Sequence, residues 1–363
     1  MKITVAKEDL AGAIRRVMSA VSTRPILPVL NNIHIQAKEN RLYLKATDLE
    51  ISVRTSVPAL VEEEGATTLP ARKFQQIASA LQPVDITIQT DDEDRSRIVG
   101  GKANFLIHGL SASQYPDDDE FTEDWSLKMP AKDVVGNMEK VAYARSSDDT
   151  RKQLNGILFS IRSGILTIAA TDGRRLALVE RVLEQDCKTD GDVILPSKTV
   201  SELIKNMAVE GEMTIRLSQA KVMFETADTA ITTKLVEGSY PNFRQVIPNG
   251  FNCSVKIPRV KFSEALNRVA TVVSESNSAV RMSLEKDSLL ISAQSQEYGE
   301  ASEPVDVLFD GEPMVIAFNP DFFNDPLKYL TCDQLELKYN DELSPVELTG
   351  DEGFIYIIMP MRN

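Results

Sequence analysis

Two aspartates, Asp48 and Asp172, each follow an Ala-Thr pair and are the residues whose type and context first suggest chemistry. Paired carboxylates can share general acid and base work, as in glycoside hydrolysis, when they face one another across the scissile bond. The segments around them are copies of one another, because residues 30–57 align with residues 154–181 at an offset of 124. The two carboxylates therefore occupy equivalent places in two repeats, which puts them on separate domains rather than in one catalytic pair.

Other catalytic arrangements lack their parts. The sequence contains two histidines, His34 and His108, and has neither a glycine-rich phosphate loop nor a nucleophile elbow. Its three cysteines, Cys187, Cys253 and Cys332, are widely spaced and odd in number, which favours reduced thiols over a disulfide framework or a zinc site. We therefore predict a protein that is not an enzyme and that needs neither a metal nor another cofactor.

The repeat extends over most of the chain and predicts its organisation. Residues 3–21 match residues 127–145 at the same offset, and a fainter third copy begins at Val255. Each copy combines a short strand, a helix, strands of alternating polarity, a second helix after a proline, and further strands. The sequence thus predicts the α+β class, with three repeated domains that each contain two helices and antiparallel sheets. The expected domains are residues 1–122, 123–250 and 251–363.

Charge is distributed unevenly between the predicted helices and the remainder of the chain. With 40 basic and 54 acidic residues the formal net charge is −14, which by itself disfavours a polyanionic partner. The six predicted helices nevertheless carry 14 basic and nine acidic residues; they span residues 7–22, 71–82, 131–145, 197–208, 258–275 and 320–331. Repeated pairs of basic helices could form a lining that meets phosphates without reading bases, a salt-sensitive mode of binding. The alternative is that lysine and arginine occur there for helix propensity alone.

No targeting or membrane segment is recognisable. The N-terminal residues MKITVAKEDL lack the apolar run of a signal peptide. No stretch approaches the roughly 18 consecutive apolar residues of a membrane span. We therefore expect a cytoplasmic protein without a membrane partner.

Six motifs carry a resemblance to a known family. They are RPILPVLNN, TTLPARKF, LNGILF, ATDGRRLAL, KLVEGSYPNF and the terminal IIMPMRN, and the likeness extends from Met1 to Asn363. The chain resembles the bacterial sliding clamp, the beta subunit of the replicative DNA polymerase. The resemblance implies a head-to-tail homodimer in which three domains per chain close a six-domain ring around duplex DNA. It also implies a processivity factor of DNA replication that tethers the polymerase, the clamp loader and repair proteins through short linear peptides.

The resemblance also implies three sets of functional residues. Sequence-independent DNA contacts are expected at Arg24, Arg72, Arg151, Lys152 and Gln153, to which the repeat adds Lys198 as the counterpart of Arg72 or Lys73. A hydrophobic pocket for partner peptides is expected at Leu154, Thr171, Gly173, Arg174, Arg175, Leu176, Pro241, Val246, Asn319, Phe322, Pro345, Ile357, Met359, Pro360, Met361 and Arg362. The dimer contact is expected between Phe105 and Ile107 of one chain and Val272 and Val273 of the other.

Three positions depart from the pattern of relatives. Relatives often have histidine where Arg174 stands and a basic residue where Gln245 stands, so the pocket rim is expected to discriminate peptides differently. Asp148 stands where some relatives have glutamine, and an acid there should repel phosphate. The alternative to a true clamp is a clamp-like scaffold that binds peptides without encircling DNA.

Overall fold

The computed structural model describes residues 1–22, 24, 26–117, 121–183, 190–207, 209–274 and 279–361. The chain folds into two compact units: the first combines residues 1–135 with 201–235, and the second combines residues 136–200 with 236–363. Both units are built from helices and antiparallel sheets, in agreement with the predicted α+β class. Among the described residues, no helix has the length and apolar character required to span a membrane.

The long helices begin within one residue of their predicted starts and end earlier than predicted. The described helices are α1 (Lys7–Val17), α2 (Ala71–Ala80), α3 (Ala131–Ala142), α4 (Lys152–Asn155), α5 (Ser197–Asn206), α6 (Arg259–Val269) and α7 (Pro320–Leu327), and all except α4 are long. The helical spacing of apolar residues continues beyond α1 and α6 because a 3-10 turn follows each, at Met18–Ala20 and Ala270–Val272. In α7, Pro326 has no N–H to donate, and the helix ends one residue later. The single-turn α4 is not among the predicted helices.

The strands follow in chain order. They are β1 (Lys2–Ala6), β2 (Asn32–Lys38), β3 (Arg41–Thr47), β4 (Ile51–Pro58), β5 (Leu60–Glu63), β6 (Gly65–Pro70), β7 (Asp85–Thr90), β8 (Arg95–Gly100), β9 (Ala103–His108), β10 (Trp125–Pro130), β11 (Ile157–Arg162), β12 (Ile165–Thr171), β13 (Arg175–Val182), β14 (Gly191–Leu195), β15 (Glu212–Leu217), β16 (Lys221–Glu225), β17 (Thr229–Lys234), β18 (Cys253–Pro258), β19 (Val280–Glu285), β20 (Ser288–Ser295), β21 (Gly299–Asp306), β22 (Met314–Phe318), β23 (Gln334–Tyr339), β24 (Val346–Thr349) and β25 (Phe354–Ile358).

The first unit contains a five-stranded and an eight-stranded sheet. Their strand orders are β5-β1-β7-β8-β9 and β10-β15-β16-β17-β4-β3-β2-β6. The apolar stripe of α1, with Leu10, Ile14 and Val17, is fully buried, and α1 packs beside α2 and against β4. In the larger sheet β4 pairs with β17, which places Ser52 opposite Thr232. Strands from the first and second repeats therefore share one sheet.

The second unit contains an eight-stranded and a four-stranded sheet. Their strand orders are β14-β11-β12-β13-β25-β24-β23-β18 and β21-β20-β19-β22. The pairing of β13 with β25 places Leu176 opposite Ile357, so strands of the second and third repeats are joined as β4 and β17 are in the first unit. The ring of Phe323 in α7 meets Phe262 in α6 edge-on at 5.5 Å between centroids, which packs these two helices together.

Candidate functional site

The turn between β12 and β13 is held by a compact set of hydrogen bonds. The Thr171 hydroxyl donates to the Arg175 carbonyl at 2.6 Å and accepts from the Gly173 N–H at 3.1 Å. The Asp172 carboxylate accepts from the N–H groups of Arg174 and Arg175 at 2.9 and 3.1 Å. Gly173 has a φ of +89°, which a glycine adopts without the strain that other residues meet there. Asp172 is therefore a turn-forming residue whose acceptor capacity is used by the backbone.

The first repeat forms the same turn between β3 and β4. The Thr47 hydroxyl donates to the Ile51 carbonyl at 2.9 Å, and the Asp48 carboxylate accepts from the N–H groups of Glu50 and Ile51, each at 2.9 Å. Asp48 belongs to the first unit and Asp172 to the second. The two carboxylates thus have one structural role in two copies, and this role accounts for their recurrence in the sequence.

Arg175 connects the turn between β12 and β13 to α7 and to the segment after α3. Its guanidinium donates to Asp172 at 3.1 Å, to Asp325 in α7 at 2.8 Å, and to the Tyr143 carbonyl at 2.7 Å. It also lies over the Phe322 ring at 4.7 Å from the centroid, a favourable cation–π distance. Only 11% of the side chain is exposed. Arg175 therefore positions the turn against α7 and has little surface left for a ligand.

An apolar cluster lies on one face of the large sheet of the second unit. The apolar cluster consists of five buried residues, Leu158, Ala169, Leu176, Leu178 and Ile357. Tyr240, Phe243, Ile247 and Ile355 pack against it while remaining partly exposed. Strands β11 and β12 are consequently buried along nearly their whole length, and β13 over four consecutive residues, rather than at alternate residues.

Leu176 and Ile357 are the members of this cluster that the family resemblance identified. Leu158, Leu178, Tyr240, Phe243 and Ile247 were not predicted. A signal exists for Leu158 and Leu178, because the apolar runs ILFSI, LTIAA and LALV are nearly continuous, whereas the first-repeat strands alternate. Such runs indicate strands that are covered on both faces.

A partly exposed rim borders the apolar cluster. The rim consists of Gly173, Arg174, Pro241, Val246 and Met359. Val246 is 51% exposed and Met359 is 41% exposed, which is high for apolar side chains next to a buried cluster. The Met359 N–H donates to the Arg174 carbonyl at 3.0 Å and the Met361 N–H donates to the Ala317 carbonyl at 2.7 Å. Backbone bonds therefore anchor the C-terminal segment and leave the Met359 side chain available.

The other predicted pocket residues vary in availability. Those that are half-buried are Leu154, Thr171, Asn319, Phe322, Pro345, Pro360 and Met361. The Asn319 side chain caps α7 by accepting from the Asp321 N–H at 2.9 Å, which is a structural role. Arg362 lies outside the described residues.

The residues predicted to contact DNA are distributed over both units. Arg24 and Arg72 are exposed in the first unit, and Arg151, Lys152 and Lys198 are exposed in the second. Gln153, in contrast, is half-buried, and its amide donates to the Glu237 carbonyl at 3.5 Å.

Asp148 reduces the positive charge of the loop before α4. Its carboxylate lies 3.6 Å from the Arg151 guanidinium and accepts hydrogen bonds from the Thr150 hydroxyl and N–H at 2.7 and 2.9 Å. The Thr150 bonds and the nearby Arg151 charge lower the pKa of Asp148, so the acid is ionised at neutral pH. The expectation that this position opposes phosphate stays a prediction.

A cavity of about 1070 Å³ in the second unit brings members of two predicted sets together. Arg151 and Lys198 from the DNA set line it, and so do Gly173, Arg174, Arg175 and Phe322 from the peptide set. Lys152 and Gln153 are not among its lining residues. In this unit, residues of the two predicted sets therefore line one cavity.

The count of helix bases overstates the positive charge that is available to a polyanion. Lys140 in α3 forms an ion pair with Asp351 at 2.5 Å, and both side chains are largely buried. Arg268 in α6 donates to both carboxylate oxygens of Glu303, at 2.6 and 2.8 Å. The exposed bases of the long helices include Arg15, Arg72, Lys73, Lys132, Lys198, Lys205 and Lys261. Basic helix faces remain, but with fewer available charges than the sequence count predicts.

The four residues predicted for the dimer contact are half-buried within the single chain. Phe105 and Ile107 lie on β9, an edge strand of the five-stranded sheet in the first unit. Val272 and Val273 lie at the end of the 3-10 turn after α6 in the second unit. Their partial exposure distinguishes them from residues of a closed core.

Three family models match successive parts of the chain. They describe the N-terminal, central and C-terminal domains of the DNA polymerase III beta subunit, at residues 1–119, 128–242 and 244–362. The predicted three repeated domains are thereby confirmed.

Full-length relatives belong to the same family as the three domain models. The beta sliding clamp of Chlamydia pneumoniae is 31% identical over 362 residues, covering 100% of this chain and 99% of that protein. The clamp of Vibrio cholerae is 31% identical over 366 residues, with both chains fully covered. The crystal structure of a Pseudomonas aeruginosa sliding clamp bound to griselimycin superposes with a TM-score of 0.94 at 29% identity, with 100% of each chain covered. The Bacillus subtilis clamp gives 0.93 at 26% identity, covering 100% of this chain and 99% of that one.

Three domain models match the chain in order, full-length relatives exceed 30% identity, and crystal structures of clamps superpose on it. The chain therefore belongs to the beta sliding clamp family, the beta subunits of DNA polymerase III.

Proposed function

We propose that the protein is a processivity clamp of DNA replication in which two copies close head to tail around duplex DNA. Each copy contributes three domains, at residues 1–122, 123–250 and 251–363, and holds the replicative polymerase, the clamp loader and repair proteins by short peptides. The observation that carries the proposal is the pair of exposed apolar side chains, Val246 and Met359, beside the apolar cluster. The partly exposed Tyr240, Phe243 and Ile247, which pack against the cluster, extend this apolar surface.

Peptide binding would bury side chains of the partner against Val246 and Met359 beside the apolar cluster. Each large apolar side chain that is buried contributes about 1.5–3 kcal/mol, so two or three of them suffice for a specific but reversible contact. The flexible thioether of Met359 can repack around different side chains, which suits a site shared by several partners. Arg174 at the rim offers an exposed positive charge to carboxylates of the peptide.

The proposed role is mechanical rather than catalytic. The Asp48 and Asp172 carboxylates are engaged by turn N–H groups, and each lies in a different unit. Exposed bases such as Arg24 and Arg72 would meet phosphates without reading sequence, so the clamp slides and its retention comes from enclosure of the duplex. The acidic remainder of the chain would limit non-specific adhesion to DNA.

Closure of the ring would join two different surfaces of the chain. Phe105 and Ile107 on the edge strand β9 would pack against Val272 and Val273 of the second copy. A heterologous contact of this kind closes into a ring only when the rotation between copies is correct. The half-buried state of all four residues in the single chain supports the assignment, because each retains apolar surface to bury on assembly.

Topological retention tests the proposal against a peptide-binding scaffold that does not encircle DNA. The clamp is loaded onto nicked circular DNA by a loader, and retention is measured by gel filtration before and after a restriction enzyme linearises the circle. We expect retention on the circle and loss after linearisation, because a sliding ring leaves a free end. Equal retention, or equal loss, on the two forms would contradict encirclement.

A further inference from the structure

The first unit contains a cavity of about 260 Å³ at the place that the repeat relates to the rim of the second unit. It is bordered by the turn residues 47 and 49–51 and by Pro116, the counterparts of residues 171, 173–175 and Pro241. The likeness includes the bond that holds each turn. The Tyr115 hydroxyl accepts from the Thr47 N–H at 3.1 Å, as the Tyr240 hydroxyl accepts from the Thr171 N–H at 3.1 Å.

The sheet surface beside this cavity differs from its counterpart in chemistry. The positions equivalent to the five members of the apolar cluster are His34, Lys45, Ser52, Arg54 and Thr232. A peptide with several apolar side chains would find no apolar floor there. Among the described residues of the cavity wall, the large apolar side chains that keep exposed surface are Leu49, Phe121 and Met223. The wall has room for one apolar side chain rather than a row of them.

Leu49 is held in an unfavourable backbone conformation at this wall. Its φ is +76°, in the left-handed region that disfavours branched side chains and where the second repeat has Gly173. The side chain is nevertheless 39% exposed, so burial in the fold does not explain the leucine. Backbone strain of this kind concentrates at ligand-binding sites. A leucine at a position where the second repeat has glycine therefore indicates that the Leu49 side chain contacts a ligand at the cavity mouth.

Among the described residues that line the cavity, bases outnumber acids, although the chain as a whole is acidic. The bases are Lys45, Arg54, Lys221 and Lys234, and the acids are Glu50 and Asp117. Lys234 pairs with Glu50 at 3.1 Å, and Arg54 lies 3.9 Å from Glu225; the two basic side chains remain about half exposed. Carboxylates of a ligand could therefore reach both bases at the surface.

We propose that the first unit carries a second docking pocket, which binds a partner peptide with one apolar side chain flanked by carboxylates. The apolar side chain packs against Leu49, Phe121 and Met223, and the carboxylates pair with Arg54 and Lys234. This pocket is separate from the rim of the second unit and selects a different peptide chemistry. It therefore lets one clamp hold two segments at once, and its test does not depend on encirclement of DNA.

The test uses the full chain and a fluorescein-labelled peptide, Asp-Glu-Leu-Glu-Asp, with binding followed by fluorescence anisotropy. Leu49→Gly should weaken binding at least about tenfold, because it removes the apolar wall. Gly173 shows that the same turn accepts glycine, so the variant should fold. Arg54→Gln should weaken binding independently and reduce its dependence on salt. Leu343→Gly, a matched loss of a 62% exposed leucine in the second unit, should leave affinity unchanged.

Three results would overturn the second docking pocket. The proposal is overturned if the wild-type chain does not bind the peptide at millimolar concentration, or if Leu49→Gly and Arg54→Gln both bind it as the wild type does. It is also overturned if Arg174→Ala, at the rim of the second unit, removes the binding. Binding that survives Arg174→Ala and falls in both first-unit variants supports the second pocket.

Discussion

Adjacent arginines in the turn after β12 should respond to mutation in opposite ways. Arg175 connects Asp172, Asp325 and the Tyr143 carbonyl, and 11% of its side chain is exposed. Arg174 is exposed, and its backbone rather than its side chain holds the turn. Replacing each by alanine therefore separates the stability of the site from its recognition of peptides.

The magnitude for Arg175→Ala follows from what the change leaves behind. Asp172 and Asp325, each less than a quarter exposed, lose their contact with the guanidinium, and the Tyr143 carbonyl loses a donor. Asp325 keeps an ion pair with the exposed Lys328 at 3.0 Å. Breaking a largely buried ion pair by removing one partner costs about 3–5 kcal/mol. For a unit of this size that corresponds to a fall in Tm of about 10 °C. Arg174→Ala should change stability by less than about 0.5 kcal/mol, as is usual for exposed sites.

Two measurements on the same variants check this reasoning. Urea unfolding followed by circular dichroism gives the change in stability, and anisotropy with a labelled partner peptide gives the affinity. Arg174→Ala should lower peptide affinity in a chain of unchanged stability. Arg175→Lys should restore little of the stability, because an ammonium cannot match the planar contacts of the guanidinium. A loss below about 1 kcal/mol in Arg175→Ala, or similar losses in both alanine variants, would refute the assignment.

Three further outcomes are expected. Burial alone would raise the pKa of Asp351, but hydrogen bonds from Lys140 and backbone N–H groups lower it. The ionised Asp351 therefore stabilises the folded chain above the unfolded pKa of about 3.9, and this stabilisation is lost as pH falls through the folded pKa. Lys140→Met should therefore move acid unfolding, followed by fluorescence, to higher pH; an unchanged midpoint would contradict the role of this pair. Replacing Arg24 and Arg72 by alanine should lower the salt slope of DNA binding by about 0.9 for each phosphate that is no longer neutralised, without altering peptide affinity; a fall in both affinities would contradict separate sites. Deleting residues 359–363 should abolish peptide binding in anisotropy, and unchanged affinity in a folded truncation would place the peptide elsewhere.

Local pattern was sufficient for much of the secondary structure. Apolar spacing and the prolines before helices located each long helix start to within one residue, because a helix start depends on neighbouring residues. Helix ends were predicted too late, since 3-10 turns such as Met18–Ala20 prolong the same burial pattern. The expected DNA, peptide and dimer residues came from family likeness, and their roles remain predictions.

Long-range pairing decided the chemistry of the candidate site. Arg174 and Arg175 are neighbours in an ATDGRR motif, and their sequence context does not distinguish them. Arg175 is largely buried where it pairs with Asp325, which is 150 residues away, whereas Arg174 remains exposed. The apolar cluster likewise needs Ile357 placed opposite Leu176 by the pairing of β13 with β25.

The sequence by itself determined the threefold repeat, the alternation of its strands, the positions where its helices begin and its likeness to the clamp family. Only the tertiary structure decided which copy of the repeated turn lies beside an apolar surface and which beside a basic one. The physical reason is that periodicity records which residues share a face of one strand or helix. What that face meets is set by strands and helices that arrive from distant parts of the chain.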